Sequence, residues 1–266
     1  MISNYDCLCI QDEIQNKFRL IYLMFALCTE GRTINSESLD QSDKLAMIQQ
    51  KLIKKENLAN AIALEDGLVY FGEMENGERN GYGILIYPNG SILEGNWING
   101  RALGICRLQY SQDEYYQGNI VNNRFQGFGE YVNHNSSIYK GQWENNEKHG
   151  YGEEYFKNGS IYCGNFIRGM REGEGVYLSS NGSKYQGQFK CNQMDGNGMI
   201  FWRDGSFYQG QFQNNDINGY GVYTYPDGSQ YQGQFMNGKR NGHGSLIRYD
   251  GYEVSGEWKG DKFYKN

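Results

Sequence analysis

The sequence is poor in proline, in long apolar runs and in the pattern that marks secretion. Only two of its 266 residues are Pro, although 37 are Gly, so it is not collagen-like. The apolar run 18–28 has eleven residues and contains Arg19, whereas a membrane-spanning helix needs about 20 apolar residues. No charged region, apolar region and small-residue cleavage site occur in that order, so we expect an intracellular protein.

Positive charge is in deficit as well. The chain has 25 Lys and Arg against 31 Asp and Glu, a formal net charge of −6. Proteins bind nucleic acid through a cationic patch that displaces counterions, so we expect no nucleic-acid partner. Anionic lipids attract the same cations, so the deficit also counts against a membrane surface, although a local basic cluster would be compatible with one.

Groups that could carry out chemistry are few and scattered. No CxxC motif occurs among the six cysteines, which are Cys7, Cys9, Cys28, Cys106, Cys163 and Cys191. We expect free thiols, with Cys7-x-Cys9 only a weak metal signal. The three histidines, His134, His149 and His243, fall in different copies of a repeat and cannot meet at one site. We therefore expect no metal, no cofactor and no enzymatic activity.

What the sequence has in abundance is a 23-residue repeat, which forms the predicted domain 70–266. Its eight full copies and a partial ninth start, in unbroken register, at Tyr70, Leu93, Tyr116, Tyr139, Tyr162, Tyr185, Tyr208, Tyr231 and Val254. We call the number of residues after each start the offset. Glycine stands at offset 2, a large apolar residue at offset 4, and glycine again at offsets 11 and 13, where Cys106 is the exception.

Each copy is predicted to be one antiparallel hairpin. Offsets 0, 2 and 4 share one face of a first strand, and offsets 11 and 13 share one face of a second. Successive copies then form a meander of 17 strands over 70–259. A turn centred near offset 7.5 would place Trp143 opposite Gly150 and Gly141 opposite Gly152, so that a ring covers its glycine neighbour.

Two sets of residues in this pattern are candidates for a structural or a functional role. Six glycines are expected to be structural: Gly141, Gly150, Gly152, Gly210, Gly219 and Gly221. The aromatic residues at offsets 0 and 4 are expected to stack along one face of the sheet, with direct contact to a partner as the alternative. These rings belong to Tyr139, Trp143, Tyr162, Phe166, Tyr185, Phe189, Tyr208 and Phe212.

The pattern resembles the MORN repeat, whose unit runs roughly Tyr-x-Gly-x-Trp, a turn, Gly-x-Gly, an aromatic residue and a second turn with Gly. Residues 139–161 read YKGQWENNEKHGYGEEYFKNGSI. Copy two departs from the unit at Leu93, Cys106 and Asp113, and copy three has Ser136 in place of the last turn glycine. The resemblance implies an elongated single-layer antiparallel sheet that binds other proteins in cytoskeletal, ciliary or membrane-junction scaffolds.

The segment 1–66 contains no repeat and is predicted to be helical. One apolar stripe of helical period consists of Ile10, Ile14, Phe18, Ile21, Phe25 and Cys28. A second consists of Leu45, Ile48, Leu52, Ala59 and Ile62. Amphipathic helices need an apolar partner. Packing on the repeat sheet is our first expectation, with a second protein or a membrane surface as the alternatives.

The function that these features favour is a non-catalytic protein-interaction scaffold in the cytoplasm, in a cytoskeletal or ciliary assembly. A peripheral phospholipid-binding module and a regulatory subunit of a separate enzyme are the alternatives. The last predicted strand, 252–258, ends the sheet without a cap, and an unpaired strand edge invites pairing. We therefore expect a homodimer through the C-terminal strand.

Overall fold

Residues 61–264, which the computed structural model describes, form a single antiparallel sheet. Its strands are β1 Ile62–Ala63, β2 Val69–Glu75, β3 Glu78–Ile86, β4 Ile92–Ile98, β5 Arg101–Ser111, β6 Glu114–Val121, β7 Arg124–Val132, β8 Ile138–Glu144, β9 Glu147–Tyr155, β10 Ile161–Ile167, β11 Met170–Leu178, β12 Lys184–Lys190, β13 Gln193–Phe201, β14 Phe207–Gln213, β15 Asp216–Thr224, β16 Gln230–Met236, β17 Lys239–Ile247, β18 Glu253–Lys259 and β19 Lys262–Tyr264. Each strand pairs with the one before it and the one after it. The sheet is therefore an open meander with β1 and β19 at its ends.

The mainly β meander predicted from the repeat is confirmed. The 17 predicted strands are β2 to β18, and the structure adds one short strand at each end. Within the described residues the only helix is a 3-10 turn, Glu65–Gly67. No helix in this part of the chain is long and apolar enough to cross a membrane.

The first strand corrects the sequence analysis at Ile62. The apolar stripe places Ile62 in a helix, but Ile62 lies in β1 and pairs with Tyr70. That placement is wrong because the edge of β2 presents backbone N–H and C=O groups, which a paired strand satisfies and a helix does not. The other residues of the two predicted helices, and their packing, lie outside the residues that the structure describes.

The hairpin turn lies at offsets 6 and 7, one residue earlier than predicted. In copy four these residues are Asn145 and Asn146, with φ of 51° and 71°. Two consecutive residues with positive φ are typical of the two-residue type I′ turn, which favours Asn and Gly. The predicted pairing of Gly141 with Gly152 is nevertheless confirmed.

The glycine pair forms although the turn lies one residue early, because the second strand contains a bulge. Trp143 pairs with Lys148 and not with Gly150, so the predicted Trp143–Gly150 pair is wrong. Gly150 has φ of 61° and turns the strand out of register. The Gln142 side chain covers the bulge, because its Oε1 accepts a hydrogen bond from the Tyr151 backbone N–H at 2.8 Å.

The same bulge recurs through the array. In copy seven Phe212 pairs with Ile217, so the expected Phe212–Gly219 pair is wrong for the same reason. In seven of the eight full copies a ring does face the bulge glycine, but it comes from the next copy, as in the pair Gly150–Phe166, whereas Gly104 pairs with Ile120. Later bulges are covered by equivalent amide bonds, from Asn197 to Gln188, Tyr220 to Gln211 and His243 to Gln234.

Asparagine side chains at several turns join a hairpin to the one before it. Asn146 Oδ1 accepts a hydrogen bond from the Phe125 backbone N–H at 2.7 Å, and Asn192 Oδ1 accepts one from Arg171 at 2.8 Å. The turns at the opposite edge contain an Asx turn, as where Asn158 Oδ1 accepts from the Ser160 N–H at 2.9 Å. Local polar contacts thus stabilise the turns at both ends of the strands.

The core is a ladder of rings on one face of the sheet, which we call the inner face. It carries the offset-0 side chains, and the opposite face is the outer face. The Tyr139 ring lies 5.2 Å from the Trp143 ring and 5.1 Å from the Phe166 ring of the next copy, nearly perpendicular to both. The edge-to-face geometry favoured by aromatic quadrupoles repeats from copy to copy.

The offset-0 tyrosine is the ring that covers the glycines at offsets 2 and 13. A Cβ added to Gly152 would lie 2.5 Å from Tyr139 Cε2, and one added to Gly141 would lie 2.6 Å from the Tyr139 hydroxyl. That hydroxyl donates a hydrogen bond to the Gln142 carbonyl oxygen at 2.8 Å. The prediction instead placed the offset-4 ring over the glycine at offset 11 of the same copy, and the bulge separates those two residues.

The C-terminal end of the array also differs from the prediction. The ninth copy does not stop after one strand, because β19 pairs with β18. The Phe263 ring lies 5.2 Å from the Trp258 ring and covers Gly256. β18, the strand expected to be the exposed edge, is therefore paired on both sides.

Candidate functional site

The eight aromatic residues singled out in the sequence form the core ladder. Their exposed fractions run from 0% to 6%, so they leave almost no surface for a partner. The six singled-out glycines lie against these rings or at the bulges. A partner that approaches the inner face therefore meets the residues around the ladder first.

Half-buried side chains at offsets 9, 15 and 17 form the accessible part of the inner face. Offsets 9 and 15 pair directly with offsets 4 and 0, so their side chains point to the same side as the ladder. The apolar residues of these rows that pack on the core include Phe125, Tyr131, Phe156, Tyr177, Met194, Ile200, Trp202, Ile217, Tyr223 and Tyr225. Sequence reasoning missed them because these offsets vary in identity, although most are apolar.

Cations at offset 9 lie over the core rings. The Arg171 guanidinium carbon is 5.4 Å from the Tyr162 ring centroid and 5.7 Å from that of Phe156. Lys148 Nζ is 4.8 Å from the Tyr139 ring centroid and 2.6 Å from Glu154 Oε1. A cation over a ring face is attracted to its negative quadrupole, so these charges are held at fixed places.

The accessible rows of the inner face carry more cations than acids, although three of these cations, Lys148, Arg240 and Arg248, pair with carboxylates. At offsets 9, 15 and 17 of the eight full copies the only acid is Glu154, and the cations are Arg79, Lys148, Arg171, Arg240 and Arg248. The offset-9 row runs Arg79, Ala102, Phe125, Lys148, Arg171, Met194, Ile217, Arg240. Two apolar windows, each two copies wide, are thus bounded by cations.

Burial raises the pKa of several titratable groups on this face. Burial raises the pKa of Tyr208 to about 12, and burial likewise raises the pKa of Tyr139 above its ordinary value. These hydroxyls stay neutral donors near pH 7. Burial also raises the pKa of the Cys106 thiol, which makes it a poor nucleophile.

The outer face differs between the two halves of the array. At offset 12 the first three copies expose Tyr82, Ile105 and Phe128, at 53%, 66% and 68%. Later copies carry mostly polar residues there, such as Glu174 and Asn197. Among residues 61–264 no group of three or more His, Cys, Asp or Glu side chains is placed to hold a metal ion.

Comparisons with known proteins agree with this architecture. A family model described as MORN repeat matches eight segments, 70–92, 94–113, 116–137, 139–161, 162–184, 185–207, 208–230 and 231–251. A comparison with curated proteins finds no match.

Solved structures give only distant likenesses. The TCP10 domain of Danio rerio CPAP is 12% identical with a TM-score of 0.43, covering 74% of this chain and 93% of that one. The Drosophila melanogaster SAS-4 TCP domain in complex with a proline-rich motif of Ana2 is 16% identical with a TM-score of 0.35, covering 74% and 88%. With scores below 0.5, these likenesses carry no argument about function.

Proposed function

Since the chain belongs to the MORN repeat family, we propose that it is a non-catalytic scaffold that binds another protein on the inner face of its sheet. The observation that carries this proposal is the continuous surface of half-buried aromatic and aliphatic side chains around the core ladder. Rings such as Trp202, Tyr223 and Tyr225 lie 4.7 to 5.4 Å apart there.

Pre-held rings of this kind suit a protein interface. Trp, Tyr and Arg dominate binding energy at interfaces, particularly where they sit in packed surroundings. Because the core already restrains these side chains, a partner loses little conformational entropy in ordering them, a cost of about 0.5–1.5 kcal/mol for each freely moving side chain. Residues 61–264 therefore offer a rigid docking face with a regular spacing.

The finer assignments are part of the same proposal. We place the scaffold in the cytoplasm, in a cytoskeletal or ciliary assembly, on the strength of the family alone. A phospholipid surface and a separate enzyme that the protein regulates are the rival partners. A homodimer at the C-terminal end would form through the free edge of β19, because β18 is already paired.

Matched tyrosine variants on the two faces test the proposal. Tyr225→Ala removes an inner-face ring, whereas Tyr220→Ala removes an outer-face ring of the same hairpin that is 51% exposed. Each tagged full chain is used for affinity capture from native cells, followed by quantitative mass spectrometry. We expect captured proteins that are retained by Tyr220→Ala and lost by Tyr225→Ala, with equal melting temperatures as the control for folding.

Two other results would favour a different docking surface or a membrane as the partner. Captured proteins that ignore both substitutions would move the docking surface away from the inner face. Flotation of the chain with phosphatidylserine vesicles, abolished by Tyr225→Ala, would make the occupant a membrane instead of a protein.

A further inference from the structure

We propose that the partner of the inner face is an acidic protein segment that also carries apolar side chains. The inference rests on the proposed function and adds the partner's chemistry. Its carboxylates would meet Arg171, and its apolar side chains would cover the apolar window formed by Met194, Ile200, Trp202, Ile217, Tyr223 and Tyr225.

The spacing of the charges frames this window. Lys148 in β9 and Arg171 in β11 are two strands apart, about 10 Å at the ~4.8 Å separation of paired strands. Arg240 in β17 lies six strands beyond Arg171, about 29 Å on the same scale before twist. An acidic residue at each end of an apolar stretch would match both cationic boundaries. The span corresponds to about 19 residues of helix or about 9 of extended chain.

Arg171 is the cation best placed to receive a carboxylate. Lys148 already pairs with Glu154, and Arg240 pairs with Asp261 at 3.2 Å. In the described part of the chain Arg171 forms no such ion pair, and its side chain donates only to Asn192 Oδ1, at 3.5 Å. A guanidinium has five N–H donors, so most of those on Arg171 remain for a bidentate carboxylate.

Charge complementarity selects an acidic segment. The accessible rows of the inner face carry five cations, and in the described residues two of them, Arg79 and Arg171, form no ion pair with a carboxylate, while the whole chain has a net charge of −6. An acidic partner would therefore be attracted to this face and repelled by the rest of the molecule, which fixes orientation and speeds association. A basic partner would meet the opposite pattern.

The placement of the cations favours a protein over an anionic membrane. The Lys148 side chain is only 24% exposed, and the Arg171 guanidinium carbon lies 5.4 to 6.0 Å from the centroids of three rings. Lipid headgroups are gathered by clustered basic residues at a surface. Here an apolar window two copies wide separates Arg171 from Arg240.

Selection from a random peptide library tests the inference. The immobilised full chain is panned against displayed peptides of about 20 residues, the helical length that spans the window. We expect enriched peptides with net negative charge and aromatic or aliphatic residues. Synthetic versions should bind roughly tenfold more weakly to Arg171→Gln, and more weakly at high salt.

Controls separate charge from folding. Arg168→Gln removes the same charge from an exposed turn residue of the same hairpin and should leave affinity unchanged. Arg171→Lys keeps the charge and should recover part of the binding. Replacing each Glu of a selected peptide by Gln leaves the protein intact, so it remains informative if Arg171→Gln does not fold.

The outcomes distinguish this inference from the proposed function. Neutral or basic peptides that still depend on Tyr225 would overturn the acidic partner and leave the scaffold standing. Peptides that ignore Arg171, Tyr225 and Glu-to-Gln replacement would overturn both. Binding of phosphatidylserine vesicles that Arg171→Gln abolishes, with no acidic peptide enriched, would assign the cations to a lipid headgroup.

Discussion

At the scale of the residue, the offset-0 tyrosine and its glycines form one unit. The Tyr139 ring occupies the space where Gly152 would carry a Cβ, and its hydroxyl caps a carbonyl of the same strand. In copy two the offset-0 residue is not a tyrosine, and a different side chain takes the place of its ring. Leu93 has no ring, and there the Cys106 side chain fills the space above Gly95. The departures at Leu93 and Cys106 are thus a paired replacement.

A double-mutant cycle in copy four should reproduce this pairing. Gly152→Cys alone should lower the free energy of unfolding by about 1–3 kcal/mol, because the new side chain overlaps the Tyr139 ring. Tyr139→Leu alone leaves a cavity. Together they copy the Leu93–Cys106 arrangement, so we expect a favourable coupling of about 0.5–3 kcal/mol in chemical denaturation. Additive losses would show that the two positions do not share one space.

Buried tyrosines also predict how stability depends on pH. Burial raises the pKa of Tyr208 to about 12 from 10.0. In the unfolded chain this group ionises near its ordinary value, so its contribution is fully present below about pH 10 and is lost as pH rises toward about 12. Unfolding free energies measured from pH 8 to 11 should fall more steeply for the wild type than for Tyr208→Phe. Parallel curves would exclude this linkage.

At the scale of the element, the hairpin depends on a bulge glycine and an amide that covers it. Gly219 has φ of 92°, and a Cβ there would overlap the Gln211 side chain that bonds the Tyr220 N–H. Gly173 has φ of 70° but only Asn165 Nδ2 nearby, at 3.8 Å. The two positions therefore share backbone strain and differ in contact.

Alanine substitutions at these two glycines should therefore lower the free energy of unfolding by different amounts. Gly173→Ala should lower the free energy of unfolding by about 1–2 kcal/mol through left-handed strain. Gly219→Ala should cost roughly 1 kcal/mol more, because Gln211 must give up its hydrogen bond. The extra loss should vanish in a Gln211→Ala background. His149→Ala, at an exposed position, should stay within about 0.5 kcal/mol of wild type.

At the scale of the whole molecule, the strands form a linear array with two ends. Each strand pairs only with adjacent strands in residues 61–264, so stability is a sum of hairpins and of interfaces between them. The ends are finished by β1 and β19, which lie outside the complete repeats. Loss of an end strand should act locally.

Two neighbouring aromatic residues test the C-terminal end. Phe263→Ala uncovers Trp258 and should cost roughly 1–2 kcal/mol, less than the 3–5 kcal/mol typical of a fully buried Phe. Tyr264→Ala is the control, since that side chain is 51% exposed. Hydrogen exchange should lose protection in β17 and β18 while β2 and β3 keep theirs. Uniform loss along the sheet would contradict a nearest-neighbour array.

Light scattering on the same Phe263→Ala variant examines self-association. An end strand with fewer anchoring contacts frays, and the edge of β18 that it uncovers can pair with another chain. We expect the variant to associate at concentrations where Tyr264→Ala does not. A variant that remains monomeric would show that the uncovered edge of β18 does not pair with another chain.

The sequence by itself determined the repeat, the two strands of each full copy, the Gly141–Gly152 register and the residues of the ladder. These follow from identity between copies and from strand alternation, which are properties of the chain alone. It could not place the bulge, because a recurring glycine at offset 11 does not reveal that Gly150 has a left-handed φ or that Gln142 bonds to a backbone N–H there.

Only the tertiary structure decided which surface is available. Each copy packs on the next and thereby buries the ladder rings. The accessible candidate site is therefore formed by the rows at offsets 9, 15 and 17, whose residues differ from copy to copy. The charge contrast of the inner face also arises from folding, since β pairing brings Lys148, Arg171 and Arg240 to one side, although they are scattered in an acidic sequence. The face that a side chain occupies, and its contacts with the next copy, depend on the bulges and on the neighbouring strands. Both exist only in the folded sheet.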